Sequence, residues 1–369
     1  MHEPWYFIKN AGEVPSPALL IHEDGVERNI RKAINIARNP ARLRPHVKTH
    51  KLAEIVRMHV AAGVSNFKCA TIAEAEMTAG AGGSHVLLGY QPVGPNIQRL
   101  ALLAQRFPDT RFAAVADDPA IVKTLSDAFR SIGCYLDMFL DIDCGMRRTG
   151  ITSRNHAIEI FKLTGNSPGL RAAGLHAYDG HIHDSDVGQR NARARESFGI
   201  VQALKDEMEA AGLAVPTVIA GGTPTFPFHA ASGTVECSPG TYVLWDFGYG
   251  DSMPDLSFEI AAVLLTRVVS KPGLNRLCLD LGHKAVASES PFPRVKLLEI
   301  GDATHVMHSE EHLVIETPFA HRLNVGDIIY AVPRHICPTV ALHNQVVVVR
   351  KGEAQERWRV RARDRAITI

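Results

Sequence analysis

Residues 43–51 read L-R-P-H-V-K-T-H-K, and the place of Lys48 in that stretch decides how the chain is read. The run 43–47 has the length of a short strand, so Lys48 stands at a strand's C-terminal end, with His46 and His50 two residues to either side. Seven further short runs follow, at 66–70, 85–89, 111–116, 137–141, 172–178, 217–220 and 235–244. Most are separated by stretches of helical length, such as 72–79 and 190–211. Short apolar runs alternating with helical periodicity mark βα units and a parallel sheet. Eight of them in about 200 residues predict an α/β fold, a (β/α)8 barrel.

Beyond residue 252 the texture changes. The runs 259–269, 276–281, 294–300, 312–316, 327–332 and 345–350 are β-rich, punctuated by Gly, Pro and Asn, and lack helical period. They predict a second, mostly antiparallel β domain. The expected division is a barrel over 22–251 and a β domain over 1–21 and 252–369, with the early strand 17–21 assigned to the latter.

Composition bounds the function. With 369 residues and 46% hydrophobic content the chain can bury one large core and a smaller one. A formal net charge of +1 provides no single-sign field for nucleic acid or an anionic membrane, so the expected partner is a small molecule. No apolar run reaches the roughly 18 residues of a membrane helix, and M-H-E-P-W-Y lacks the regions of a signal peptide. Six cysteines are scattered without CxxC pairs, which fits a reducing compartment. The expected location is cytoplasmic.

Active sites of barrels gather at the C-terminal ends of the strands. Lys48 ends the first run, Arg147 and Arg148 follow the fifth, Tyr178 and Asp179 end the sixth, A-G-G-T-P-T ends the seventh and P-G-T-Y-V lies in the eighth. A lysine in a partly desolvated mouth near other cations is a nucleophile toward an aldehyde. Gly221, Gly222 and Gly240, beside Thr223 and Thr241, offer backbone N–H groups to a phosphate. A phosphate-bearing aldehyde held by lysine is pyridoxal 5′-phosphate.

A second feature lies in P-R-H-I-C-P-T-V-A-L-H. Read as a strand, it turns His335 and Cys337 to the same face, where an imidazole and a thiolate bind a divalent metal of the zinc or manganese kind. Such an ion polarises a substrate hydroxyl. The cluster at His181, His183, Asp184 and Asp186 reads first as a loop capping the next helix, and Tyr242 reads as a core aromatic whose backbone neighbours the phosphate loop.

Together, R-P-H-V-K-T-H-K, the region around Arg148, A-Y-D-G-H, A-G-G-T-P-T, P-G-T-Y-V and H-I-C-P-T-V-A-L-H resemble the D-threonine aldolase and D-serine dehydratase family, a metal-assisted branch of the alanine-racemase-like pyridoxal-phosphate enzymes. The resemblance spans nearly the whole chain in the same motif order. It implies a barrel followed by a β domain, a homodimer with active sites near the subunit interface, and a D-3-hydroxy amino acid as substrate. It further implies that Lys48 is the cofactor lysine, Arg148 a cofactor-contacting arginine, Tyr178 an active-site tyrosine, and His335 and Cys337 the metal ligands.

The family divides between two reactions. A-Y-D-G at Tyr178 and the opening W-Y-F-I-K-N resemble the aldolases, whereas His-x-Cys resembles the dehydratases. The leading expectation is retro-aldol cleavage to glycine and an aldehyde. The alternative is β-elimination to a 2-oxo acid and ammonia. His50, His181 and a metal-bound water are all candidates for the base of the aldol path. A racemase needs no metal, and a cofactor carrier needs no β domain; both are less expected.

Overall fold

The computed structural model describes residues 3–369. Strand β1 (Ala18–His22) runs into a helix, Glu23–Ala37. Seven parallel strands follow: β2 (Asn66–Cys69), β3 (His85–Leu88), β4 (Arg111–Ala116), β5 (Leu136–Ile142), β6 (Leu170–Ala177), β7 (Thr217–Ala220) and β8 (Glu236–Cys237), each beside its sequence neighbour.

The opening stretch supplies the eighth position. Leu43 bridges to Cys237 on one edge of the sheet and His46 to Lys68 on the other, both in parallel, so the sheet closes into the expected barrel. This first strand is only a pair of bridges because Pro45 removes an N–H from its middle. The last is also shorter than the run 235–244, since Pro239 and Gly240 break it and Thr241–Val243 forms a 3-10 turn.

Inside the barrel, Leu87, Ala113, Val115, Phe139 and Ile219 form an apolar layer. At the N-terminal ends of the strands it rests on an ionic floor. Arg44 is fully buried, its Nε 2.6 Å from Glu236 and an Nη 3.1 Å from His85, while His85 and Arg111 both reach Asp137. This end is closed by paired charge.

The β unit adds β9 (Ala262–Gly273), β10 (Arg276–Leu279), β11 (Val295–Leu297), β12 (Thr304–His308), β13 (Leu313–Glu316), β14 (Ile328–Pro333), β15 (Gln345–Arg350) and β16 (Glu353–Arg359). The strand order is β12-β13-β10-β9-β1-β15-β16, with β14 also on β9 and β11 on β14. All pairs are antiparallel except β1 with β15. Leu20, Val263, Leu265, Tyr330 and Val347 belong to its core.

The two units interleave in sequence. One comprises Arg31–Lys48, Ala53–Gly240 and Asp364–Ile369; the other takes the residues up to Ile30, Thr49–Leu52 and Thr241–Arg363. The chain passes from one to the other between Lys48 and Thr49, and again between Gly240 and Thr241. No described helix is long and apolar enough to cross a membrane.

One expectation is overturned. His335 and Cys337 do not lie on a strand: β14 ends at Pro333, and Ile336–Leu342 is a helix with His335 at its N-cap. Pro338 falls in the first turn, where a missing N–H costs nothing, and buried Asp246 accepts the Ile336 N–H at 3.0 Å.

Candidate active site

The barrel unit gathers its cations around one ring. Tyr178 follows β6, and its centroid lies 5.8 Å from Lys48 Nζ, 5.5 Å from Lys68 Nζ and 5.2 Å from the guanidinium carbon of Arg148. Lys48 sits in the 3-10 turn Val47–Thr49, its N–H directed to His46 Nδ1 at 3.5 Å. Arg148 is carried by the loop after β5, which Asp143 braces by accepting the N–H groups of Gly145 and Arg147. Among the described residues neither Asp141 nor Asp143 forms an ion pair with Arg148; Asp141 is taken by His176 at 2.7 Å.

His176 stands on β6, two residues before Tyr178. Burial disfavours the Asp141 carboxylate, but the His176 hydrogen bond and the nearby Lys68 charge prevail and hold its pKa down. Burial lowers the His176 pKa and outweighs the help of Asp141, so the ring stays neutral with Nε2 buried and unpartnered among the described residues. An orphaned nitrogen on the strand that delivers Tyr178 fits a polar ligand at this mouth.

The glycine loop after β7 is built differently from the sequence expectation. Gly221, at φ +82°, donates to Ala177 O at 3.1 Å, Gly222 donates to Asp179 Oδ1 at 3.1 Å, and Gly240 donates to Thr223 Oγ1 at 3.1 Å. These three N–H groups are therefore committed within the protein. Glycine serves close approach instead: a Cβ at 222 would stand 3.2 Å from the Tyr178 ring, and one at 221 would stand 2.5 Å from His229. The loop fits a bulky anion through shape and the Thr223 hydroxyl rather than through an N–H nest.

Sequence reading missed what sets this loop. Asp179 accepts from the Thr225 hydroxyl at 2.9 Å as well as from Gly222, and its other oxygen pairs with His229 Nε2 at 2.8 Å. The signal was present in Y-D-G-H, where Asp179 immediately follows Tyr178. His181 lies nearby in sequence with Nδ1 buried and unpartnered among the described residues, and its Nε2 leaves no room for a Cβ at Gly145. Asp186 caps the helix Val187–Ala210 and Asp184 pairs with Arg193, as the capping reading expects.

The β unit holds the other expected residues. Cys337 Sγ is 3.2 Å from Thr49 Oγ1 and 3.5 Å from Thr241 Oγ1. Burial opposes its thiolate, but the His335 hydrogen bond and charge, with the two threonines, lower its pKa. For His335, burial opposes the charged ring; Cys337 and Glu289 overcome it and push the pKa up to about 9. Its Nδ1 meets Glu289 Oε1 at 2.6 Å. Among the described residues no three His, Cys, Asp or Glu side chains cluster as metal ligands. A two-donor imidazole and thiolate pair fits an open catalytic ion better than a closed structural one. His50 also belongs to this unit, its Nδ1 accepting Leu52 N–H at 3.1 Å, and Tyr242 is fully buried against Phe258.

A parallel barrel with a lysine-and-arginine mouth, joined to an antiparallel β unit, defines an enzyme of the alanine-racemase fold. Residues 21–246 match "Alanine racemase, N-terminal domain", and residues 261–349 match "Putative serine dehydratase domain". The chain belongs to the D-threonine aldolase and D-serine dehydratase family within this fold, and that membership implies pyridoxal phosphate as cofactor. It is 32% identical to 3-hydroxy-D-aspartate aldolase of Paracoccus denitrificans, across 95% of this chain and 92% of that one. It is 25% identical to D-threo-3-hydroxyaspartate dehydratase of a Delftia species, across 88% and 92%. The crystal structure of D-threonine aldolase from Filomicrobium marinum superposes with a TM-score of 0.90 at 30% identity, covering 97% of this chain and 98% of the other.

Proposed function

We propose that this protein is a pyridoxal-phosphate- and divalent-metal-dependent lyase that cleaves D-3-hydroxy amino acids between Cα and Cβ, releasing glycine and an aldehyde. The observation that carries the reading is the ring of Lys48 and Arg148 about Tyr178, in a chain whose 30–32% identical relatives are named aldolases. When bound, the cofactor withdraws electrons from Cα and the metal lowers the cost of negative charge on the β-oxygen.

The chain's own residues do the rest. Lys48 is the amine that holds the cofactor's aldehyde carbon, and Arg148, always cationic, faces its negative charge. Thr223 receives the phosphate beside Gly221, which is tied to Ala177 O, and Gly222, which is tied to Asp179. His335 and Cys337 hold the metal, with Glu289 fixing the imidazole. Of the two histidine candidates, His50 already commits Nδ1 to Leu52, while His181 keeps a nitrogen uncommitted among the described residues; His181 takes the hydroxyl proton.

A second reading is supported by the dehydratase-domain match over 261–349 and by Cys337 as second ligand. Here Lys48 removes the Cα proton and the β-hydroxyl departs as hydroxide, and water then hydrolyses the released imine to a 2-oxo acid and ammonia. Incubation with D-threonine, pyridoxal phosphate and Mn²⁺ decides: glycine and acetaldehyde support the aldolase, 2-oxobutyrate and ammonia the dehydratase. Six free cysteines accord with a cytoplasmic location, and sedimentation of the holoenzyme would test the homodimer that the family resemblance implies.

A further inference from the structure

Lys68 is the buried ionisable group that this chemistry leaves without a task. It interrupts the apolar strand β2 between Phe67 and Cys69, is 3% exposed, and projects its amine to within 5.5 Å of the Tyr178 centroid. Its stem is accommodated deliberately. A Cβ at Gly89, at the end of β3, would lie 3.2 Å from Lys68 Cγ and Cδ, so a side chain there would crowd the lysine out of its path.

A buried ammonium is costly unless an anion faces it. The nearest carboxylates are each engaged by a histidine, Asp141 by His176 and Asp179 by His229. Lys48 and Arg44 oppose its proton, Asp141 and Asp179 favour it from a distance, His46 sits on the bridged strand, and the Arg148 charge and the neutral His176 ring complete the polar surroundings. Burial, then the charge of Lys48, bring its pKa down to about 7. The amine therefore stands where one added negative charge decides whether it is protonated.

We propose that Lys68 is a further cofactor-binding residue, a buried amine that takes up a proton when the anionic cofactor enters and adds its charge to that of Arg148 beside Tyr178. This rests on the reading of the barrel mouth as a pyridoxal-phosphate site.

The test is calorimetric titration of pyridoxal 5′-phosphate into the apoprotein at pH 8, in two buffers of different ionisation enthalpy, for wild type, Lys68→Met and Lys68→Arg. Proton exchange at Lys48 is common to all three, so differences report Lys68. Wild type is expected to take up approaching one proton per site more than either variant. Lys68→Met is expected to bind at least about tenfold more weakly, and Lys68→Arg, permanently charged, to bind without the uptake. Equal uptake in wild type and Lys68→Arg overturns the proposal, and that comparison suffices if the methionine variant does not fold. Absence of both binding and imine absorbance in wild type would overturn the cofactor reading itself.

Discussion

Asp179 and His229 share a buried hydrogen bond, Oδ2 to Nε2 at 2.8 Å, while the other oxygen of Asp179 receives the Gly222 N–H and the Thr225 hydroxyl. One carboxylate thus ties the end of β6 to the loop after β7. Charge-assisted bonds of this kind are stronger than neutral ones, and removing the acceptor strands three buried polar groups at once. Asp179→Ala is expected to lose about 2–4 kcal/mol of stability and to bind pyridoxal phosphate at least tenfold more weakly, roughly the effect of one lost anchoring contact. Urea unfolding of the apoprotein and a fluorescence titration measure the two effects. A variant with wild-type affinity would show that the loop keeps its shape without Asp179.

Lys48 and Lys68 flank the same ring, so the amine proposed to hold the cofactor has a rival beside it. Lys48 follows directly on the strand that closes the barrel, whereas Lys68 lies deeper in β2. Lys48→Ala is expected to abolish the visible imine absorbance, and Lys68→Met to retain it in weakened form. Absorbance surviving in Lys48→Ala and vanishing in the double variant would transfer the role to Lys68.

His335 and Cys337 are expected to serve turnover and not cofactor capture. Alanine at either should leave the imine band intact and remove at least about a hundredfold of kcat, since two donors have no redundancy. Glu289 touches the imidazole, so Glu289→Gln is expected to weaken metal affinity about tenfold. Competition against a chelating dye, with Mn²⁺ and Zn²⁺ each tested, reads this directly. Unchanged metal affinity in His335→Ala would remove it from the ligand set.

The barrel was legible because its signal is periodic: β4 and β7 coincide with runs read from alternation alone. The places where reading failed have local causes. Pro45, Pro239 and Gly240 shorten the two strands that close the barrel, and they act through a missing N–H or backbone freedom that hydrophobic pattern does not register. His335 and Cys337 have the spacing of a strand face, but Pro338 and the distant Asp246 carboxylate start a helix there. The residues proposed for the cofactor were legible in the sequence as reactive side chains at strand ends. Lys68 was passed over inside a strand; Asp179 was read only as a strand-end residue, and Thr225 and His229 were not read at all, because the bonds that join them to Asp179 span up to 50 positions.

Acid sensitivity of the fold can be worked out from His59. It lies on the helix Ala53–Ala61, is 1% exposed, and Nδ1 pairs with Ile55 O at 2.8 Å. Burial, against that hydrogen bond, lowers its pKa to about 4, while the unfolded chain has a value of about 6.5. Above pH 6.5 the ring is neutral in both states and its contribution is fully present. As pH falls from 6.5 toward 4 the unfolded state binds the proton first, and stability declines by about 3 kcal/mol across that window. Below about 4 the folded form also takes the proton and the decline from this group ends. His59→Met removes the titration, so its unfolding free energy should fall less steeply than wild type between pH 7 and 4, whatever its value at pH 7. His22, also lowered to about 4 by burial, acts in the same direction in the β unit and remains in both proteins, so it does not alter the comparison. Urea denaturation at pH 7, 6, 5 and 4 gives the two curves; if they run parallel, the buried imidazole is not the acid-sensitive group.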